Sequence, residues 1–552
     1  MKMRFSVEDM PRDMLVPFRM KKCPSARLIL CGEQLDEGTR HELLNEYGYH
    51  VLGAGDEKVF YAERYGGLGI FNNGGGVRCG LQGRYQVKGI GINSLRGRST
   101  PAAYSSGAMG LTEAVRELVW SRILNNALPH GSPEVRAVMY LGEFSDDRKQ
   151  KPQARYASIR ESAWRIAHFE RAQHFKPPPR SGITHDSLRV MAALGVLASR
   201  SFNSAISISH PDFPEGMLAA LNSVAVKHAE QLAAARARRV MHGALSGSNS
   251  CLNGGWIDCG SIAQLPAFAA IPTFSLGFWR DYEYLFDSIK NICHGAELYS
   301  FGRFAGEGAF KKFVDTFACT YEENLAKQFC QLIGLDETFV QTARPGIIEV
   351  LVRIARRLIA VAMLGKRSAP SDPNCLQDHP SAKALELARL CGIALAHHGN
   401  GVAPQQLEFI DGGLSSDVNE LAAAYRLYVT GKGISYEKAC LATLITCLRR
   451  CSYVDSLDLA QMDKAIPTHE YSEKSLGAYV QTVTADAAIA LNARVGWCTE
   501  IGRIGTDIYY YDPVNDIVRN DQSSVMPLKV WMESRLPQAS KNIVDGLREY
   551  TG

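Results

Sequence analysis

Apolar residues recur every three to four positions over 185–201, 214–241, 308–333, 346–364 and 380–398. That period puts them on one face of a helix, so each stretch is expected to be helical. A further helix is expected at Thr112–Leu124, with an acidic residue in its first turn. Residues 48–100 follow another rule. Short apolar and aromatic runs alternate there with glycine, in segments beginning at Tyr49, Lys58, Asn72 and Arg84. They read as short strands joined by tight turns. Strand-like runs return at Val135–Leu141 and Tyr156–Ile159, and another lies at 504–513.

The order of these elements carries information. A β-rich opening with one prominent helix ends near three consecutive prolines, 177–179. Long helices follow, interrupted by a Gly-rich, non-helical island at 242–264 and by a loop-like break at 365–380. There is no internal repeat and no low-complexity tract. The expected class is α+β, with a bilobal protein-kinase-like fold and an additional C-terminal region. The expected units are a β-rich nucleotide-binding lobe (1–175), a helical lobe holding a metal and catalytic loop at 242–260 (176–365), and a helical or mixed extension (366–552).

Composition narrows the function classes. The 552 residues are 46% hydrophobic and 21% charged, which excludes wholesale disorder and coiled-coil architecture. Sixty-one basic against 57 acidic residues leave a net charge of +4, no electrostatic case for wrapping nucleic acid. The 14 cysteines are scattered and none has CxxC spacing, so they read as reduced, buried thiols of a cytosolic protein. No apolar targeting segment opens the chain. The best apolar run, Ile354–Leu364, is interrupted by Arg356 and Arg357 and is far shorter than the roughly 20 residues a membrane span needs. A soluble, cytoplasmic protein is expected.

The island holds the candidate chemistry. His242 and Asn249 have the spacing of a kinase catalytic loop, and Asp258 follows after a GlyGly turn at 254–255. A tight hairpin there would bring Asn249 and Asp258 together as two hard oxygen ligands for Mg²⁺ or Mn²⁺. Ala244 stands where a kinase has its catalytic base. Such a site also needs a strand lysine on the phosphates and a helix carboxylate to hold it. Lys88, in a strand-like run, and Glu117, in the helix at 112–124, come in the required order. Histidines 397 and 398 fit a helix C-terminus, Arg353, Arg356 and Arg357 a solvated helix face, and Tyr509–Tyr511 a packed strand. Ser248 and Cys251 lack a recognisable base and acid as nucleophile partners.

Five segments in order make the chain similar to the selenoprotein O family, kinase-fold proteins that transfer AMP rather than phosphate. They are Tyr65–Gly67 with the Gly-rich run after it; Lys88–Gly91 with Thr100, Pro101, Tyr104 and Ser105; Arg116 and Glu117; Arg160 with Ser162–Glu170; and His242–Gly260. The resemblance covers roughly residues 60–345. It implies that ATP binds in a flipped orientation. Lys88, held by Glu117, would contact phosphates, with Gly74, Gly75 and Gly76 covering them. Arg160 and Arg165 would grip the outer phosphates, and Asn249 and Asp258 would hold the metal. The missing base at Ala244 is shared with the family. The chain departs from the family pattern at Ser248, where an Asp is usual, in a longer loop between Lys88 and Glu117, and at 72–76, where AsnAsnGlyGlyGly replaces a glutamine-rich loop.

A divergent branch from siderophore-microcin gene clusters has similar length. It implies activation of a peptide C-terminal carboxylate as an adenylate, with a partner enzyme encoded in the same cluster. The expected substrate is thus a protein hydroxyl or a peptide carboxylate. The alternative class is a pseudokinase that scaffolds a partner acyltransferase-like enzyme.

Overall fold

The computed structural model describes residues 7–533 and 543–544 apart from 32–34, 53–54, 68–69, 71–72, 98–99, 101–105, 145–152, 178–180, 203–204, 270–275, 336, 365–378, 398–411, 470–471, 492–498, 505–506, 513–514, 516 and 521–524. Pro101, Tyr104, Ser105, Pro178, Pro179, His398 and most of the break at 365–380 therefore lie outside the described residues.

The chain is mixed α/β, built on an antiparallel sheet. Eight strands form that sheet: β1 (Leu15–Lys22), β2 (Arg27–Cys31), β3 (Tyr49–His50), β4 (Glu57–Glu63), β5 (Cys79–Gln82), β6 (Tyr85–Lys88), β7 (Val135–Phe144) and β8 (Gln153–Glu161). Their order is β2-β7-β8-β6-β5-β4-β1-β3. The opening is richer than its sequence pattern indicates. Helix α1 (Glu37–Tyr47) sits among the strands, capped by Asp36, which accepts a hydrogen bond from Thr39 N at 2.7 Å.

The expected helix at 112–124 is α2 (Leu111–Ala127). It is buried on nearly every side, so its sequence shows little amphipathic contrast. The expected long helices are α3 (Asp186–Ser199), α4 (Phe213–Ala237), α6 (Gly306–Cys330), α8 (Pro345–Ala362) and α9 (Lys383–His397). Proline in the first turn of α4 and of α8 costs no hydrogen bond, because that N–H has no helical partner anyway. Helices α5 (Glu283–Tyr299) and α7 (Glu337–Thr342) lie between them. Beyond α9 come α10 (Gly412–Gly431), α11 (Tyr436–Cys451), α12 (Leu459–Thr468) and α13 (Glu473–Leu491).

One core cluster joins α2 and the sheet to α3, α4, α12 and α13, spanning residues on both sides of 175 and of 365. A second fills the space among α6, α8, α9 and α10. Arg353 on α8 is no purely solvated side chain: it donates to Asp417 of α10 at 2.9 and 2.7 Å. After the two-stranded ladder β9 (Val240–Met241) and β10 (Ala263–Gln264) comes a small terminal sheet. Its strands are β11 (Thr499–Ile504), β12 (Asp507–Asp512), β13 (Ile517–Asn520) and β14 (Val525–Met526). In β12, Tyr509 and Tyr511 are buried, as core packing requires. Among the described residues no helix is long and apolar enough to cross a membrane.

Candidate functional site

Strands β6 and β8 are central neighbours, with Gln86 opposite Arg160 and Lys88 opposite Ser158. Side chains two apart on a strand share a face, so Gln86, Lys88, Ser158 and Arg160 form one patch. Helix α2 crosses it. Glu113 and Glu117, four residues apart, lie on one side of that helix and both reach Lys88. The contact with Glu117 is direct, and Glu113 Oε1 is 3.1 Å from Lys88 Nζ. Ser158 Oγ donates to the other Glu117 oxygen at 2.8 Å, which fixes the carboxylate from behind.

The island supplies the opposite wall. Ladder β9–β10 closes its ends, pairing Met241 with Ala263. Within it a hairpin turns at Cys251–Gly254, with Ser250 bridged to Trp256. Gly254 has φ +86°, and a Cβ there would meet Lys227 and His130, so the turn needs glycine. Ile257 N donates to Asn249 O at 3.0 Å, which brings Asn249 and Asp258 to the same end of the hairpin, as their spacing predicts.

His242 is a tie rather than a reactive group. Its Nδ1 accepts from Ala244 N, and its Nε2 donates to Ile257 O at 2.9 Å. Burial holds the ring neutral, below its usual pKa. Asn249 donates its amide to Ala244 O at 2.7 Å, so position 244 offers a carbonyl and no acid.

Asp258 is the focus. Its backbone is left-handed, φ 59° and ψ 51°, costing a non-glycine residue about 1–2 kcal/mol. The conformation turns its carboxylate into three cations. Lys88 Nζ lies 2.9 Å and Arg160 Nη1 2.8 Å from Oδ1, and Arg165 Nη1 lies 2.9 Å from Oδ2. Burial would raise this carboxyl, but Lys88, Arg160 and Arg165 outweigh it and hold the pKa well below the usual range. Burial works against charge on Lys88, Arg160 and Arg165 too, and Asp258 overrides it, raising each.

Arg165 reaches the cluster because its segment is stitched to the hairpin. Arg165 bridges Cys251, Ile166 N donates to Ser250 O, and Leu252 N donates to Trp164 O. Its guanidinium also donates to Ser248 O at 2.6 Å and lies over the Tyr65 ring.

Four groups with no role in the sequence reading complete the network. Gln86 accepts from Arg160 Nε at 2.8 Å and donates to Glu63, whose other oxygen faces His168 at 3.5 Å. Arg78 grips Glu113 with both guanidinium nitrogens, at 2.6 and 3.1 Å. Two of these roles had a readable signal. Glu113 precedes Glu117 by one helical turn, and Gln86 precedes Lys88 by one strand period. Glu63 and Arg78 had none, because only sheet order brings them here.

Gly74, Gly75 and Gly76 lie apart from this cluster in character. Gly75 bridges Arg64, and Gly76 N donates to Glu63 O. A Cβ at Gly74 would strike Phe175, and one at Gly76 would strike the Tyr65 hydroxyl. Close packing explains glycine here without any ligand. Of the nine predicted site residues, Lys88, Glu117, Arg160, Arg165 and Asp258 thus meet through their side chains. Asn249 stands beside them on the backbone, and the three glycines pack against Phe175, Glu63 with Leu95, and Tyr65 in turn.

A metal fits the donor chemistry in part. Asp258 and the Asn249 amide are hard oxygen donors. The Asn249 amide oxygen takes no protein hydrogen bond among the described residues. No group of three or more His, Cys, Asp or Glu side chains is placed to hold a metal among the described residues, so a cation would need ligand oxygens from phosphate. Comparison with known protein families and with curated proteins finds no match to this chain.

Proposed function

We propose that the chain is an ATP- and divalent-metal-dependent enzyme that transfers an adenylyl group, with a bilobal kinase-like organisation and chemistry similar to selenoprotein O proteins. The observation that supports it is the convergence of Lys88, Arg160 and Arg165 on the one carboxylate of Asp258. Three buried cations converging on one partly exposed carboxylate make a receptor for phosphate oxygens.

In this reading Lys88, fixed by Glu117, orients the phosphates. Arg160 and Arg165, whose charge cannot be lost at any working pH, grip the outer ones. Asp258 and Asn249 are the residues that would hold Mg²⁺ or Mn²⁺, which neutralises phosphate oxygens during transfer. The acceptor oxygen forms a bond to the α-phosphorus, the α–β bridge breaks, and pyrophosphate leaves towards the arginines. Ala244 supplies no base. The acceptor is a protein hydroxyl or a peptide C-terminal carboxylate, the latter already ionised. The siderophore-microcin setting adds a partner enzyme from the same gene cluster and a cytoplasmic location.

Incubation with α- and γ-labelled ATP and a candidate peptide tests this. Pyrophosphate with free AMP and a modified peptide terminus supports carboxylate activation, and AMP retained on protein supports transfer to a hydroxyl. ADP as the sole product refutes adenylyl transfer. The complete counter-ion pairing of the cations and the alanine at 244 favour a second reading, a pseudokinase scaffold. It predicts no turnover with any acceptor and a stable complex with the partner enzyme.

A further inference from the structure

We infer that Glu113 is an acidic gate on this site, an internal competitor that a phosphate ligand must displace from Arg78 and Lys88. The inference rests on the phosphate-site reading above and adds its regulation.

Lys88 and Glu117 form the floor, with side chains 6% and 1% exposed. Glu113, at 28%, and Asp258, at 24%, are the more exposed members. An anion approaching Lys88 therefore meets two carboxylates before it meets a cation. Asp258 has somewhere to go, because a metal ion can take its oxygens. Glu113 is held by two cations instead, Arg78 and the same Lys88 Nζ that Asp258 contacts, so it clears the way only by leaving them.

The grip on Glu113 is strong. Arg78 holds both of its oxygens and Lys88 adds a third contact at 3.1 Å. Burial would raise this carboxyl, but Lys88 and Arg78 bring it down to about 2. It stays ionised at any physiological pH, so protonation does not open the gate. Only a competing anion, or a movement of the first turn of α2, can do so. Gly260 lies against the Glu113 stem, with a Cβ at that glycine 3.4 Å from Cγ, so the loop after Asp258 and the gate share one contact.

Replacing Glu113 by Gln keeps the shape and removes the competing charge. Titration calorimetry with inorganic pyrophosphate, and with ATP plus Mg²⁺, reads the effect. Glu113→Gln is expected to bind pyrophosphate about tenfold more tightly than wild type or better, equal to about 1.4 kcal/mol. Glu113→Ala should do the same, and circular dichroism checks that both fold. Equal or weaker binding by both variants, while Lys88→Ala abolishes it, overturns the gate and makes Glu113 a positioning residue for Lys88. Absence of binding by wild type and both variants overturns the phosphate-site reading and the gate together.

Discussion

Arg160 and Arg239 are both almost fully buried, and they live under opposite electrostatics. Arg239 follows α4 with φ 57° and donates to three backbone carbonyls, Leu265 O, Arg450 O and Ser452 O. It is a staple between the island's exit and the end of α11. Arg160 donates to Gln86 and to Asp258, and Asp258 holds its charge against burial. A guanidinium held by carbonyls has partners that cannot leave without unfolding. One held by a carboxylate has a partner that another anion can replace. Burial alone therefore does not mark a functional arginine; the kind of counter-group does.

The sharpest way to break the comparison is to remove the shared anion. Asp258→Ala should cut ATP-dependent product formation by about 10²–10³-fold, the usual loss for one transition-state charge contact. Lys88→Ala should fall in the same range. Steady-state rates of pyrophosphate release check both, and unchanged rates would make the cluster structural like Arg239.

The staple should respond in the other currency. Arg239→Met leaves the buried Leu265 and Arg450 carbonyls short of a donor, at about 1 kcal/mol each, while Ser452 O keeps Gln264. Urea unfolding should show stability lower by about 2 kcal/mol, with ATP affinity unaltered in the folded fraction. A change in affinity without a change in stability would erase the distinction.

Metal dependence follows. ATP with Mg²⁺ should stabilise the wild type by about 2.7 kcal/mol at a hundredfold excess over Kd, and ATP with chelator by much less. Equal thermal shifts would remove Asp258 and Asn249 from metal binding.

Per unit of pH the effect on stability is the smallest of these. His228 on α4 donates to Cys251 O at 2.9 Å, tying that helix to the hairpin, and burial pushes its pKa down to about 4. Unfolded histidine titrates near 6.5. Below that the unfolded chain binds the extra proton, so stability falls as pH drops from about 6.5 towards about 4. His228 should contribute about 1.4 kcal/mol per pH unit in that window, and His228→Gln should remove that share and leave the part due to His242 and His50, which burial also lowers. Glu113, down to about 2, and Asp258, held well below the usual range, stay ionised there, so acid should loosen the tie before their ion pairs.

Periodicity alone located α3, α4, α6, α8 and α9 to within a few residues of their observed ends, because each turns one apolar stripe to a core. It missed α1, α5 and α7, and it named no helix beyond α9. Of the helices there, α11 is buried on nearly every side, whereas α10 does turn one stripe, Leu414, Val418, Leu421, Tyr425 and Val429, to the core. Spacing within the island also foretold that Asn249 and Asp258 lie at one end of a hairpin, since a short turn with glycine at its tip permits little else.

What sequence could not decide is which charges face each other. Arg165 and Lys88 are 77 positions apart and Asp258 lies 93 beyond Arg165, so their meeting depends on sheet order and on the stitching of 164–167 to the hairpin. Glu113 became visible as a competitor only once Arg78 was carried to the same helix face by β5. Local patterns determine elements, because their energies are set by neighbours within a turn or a strand period. The charge balance of a buried cluster is set by groups far apart in the chain, and only the tertiary structure brings those together.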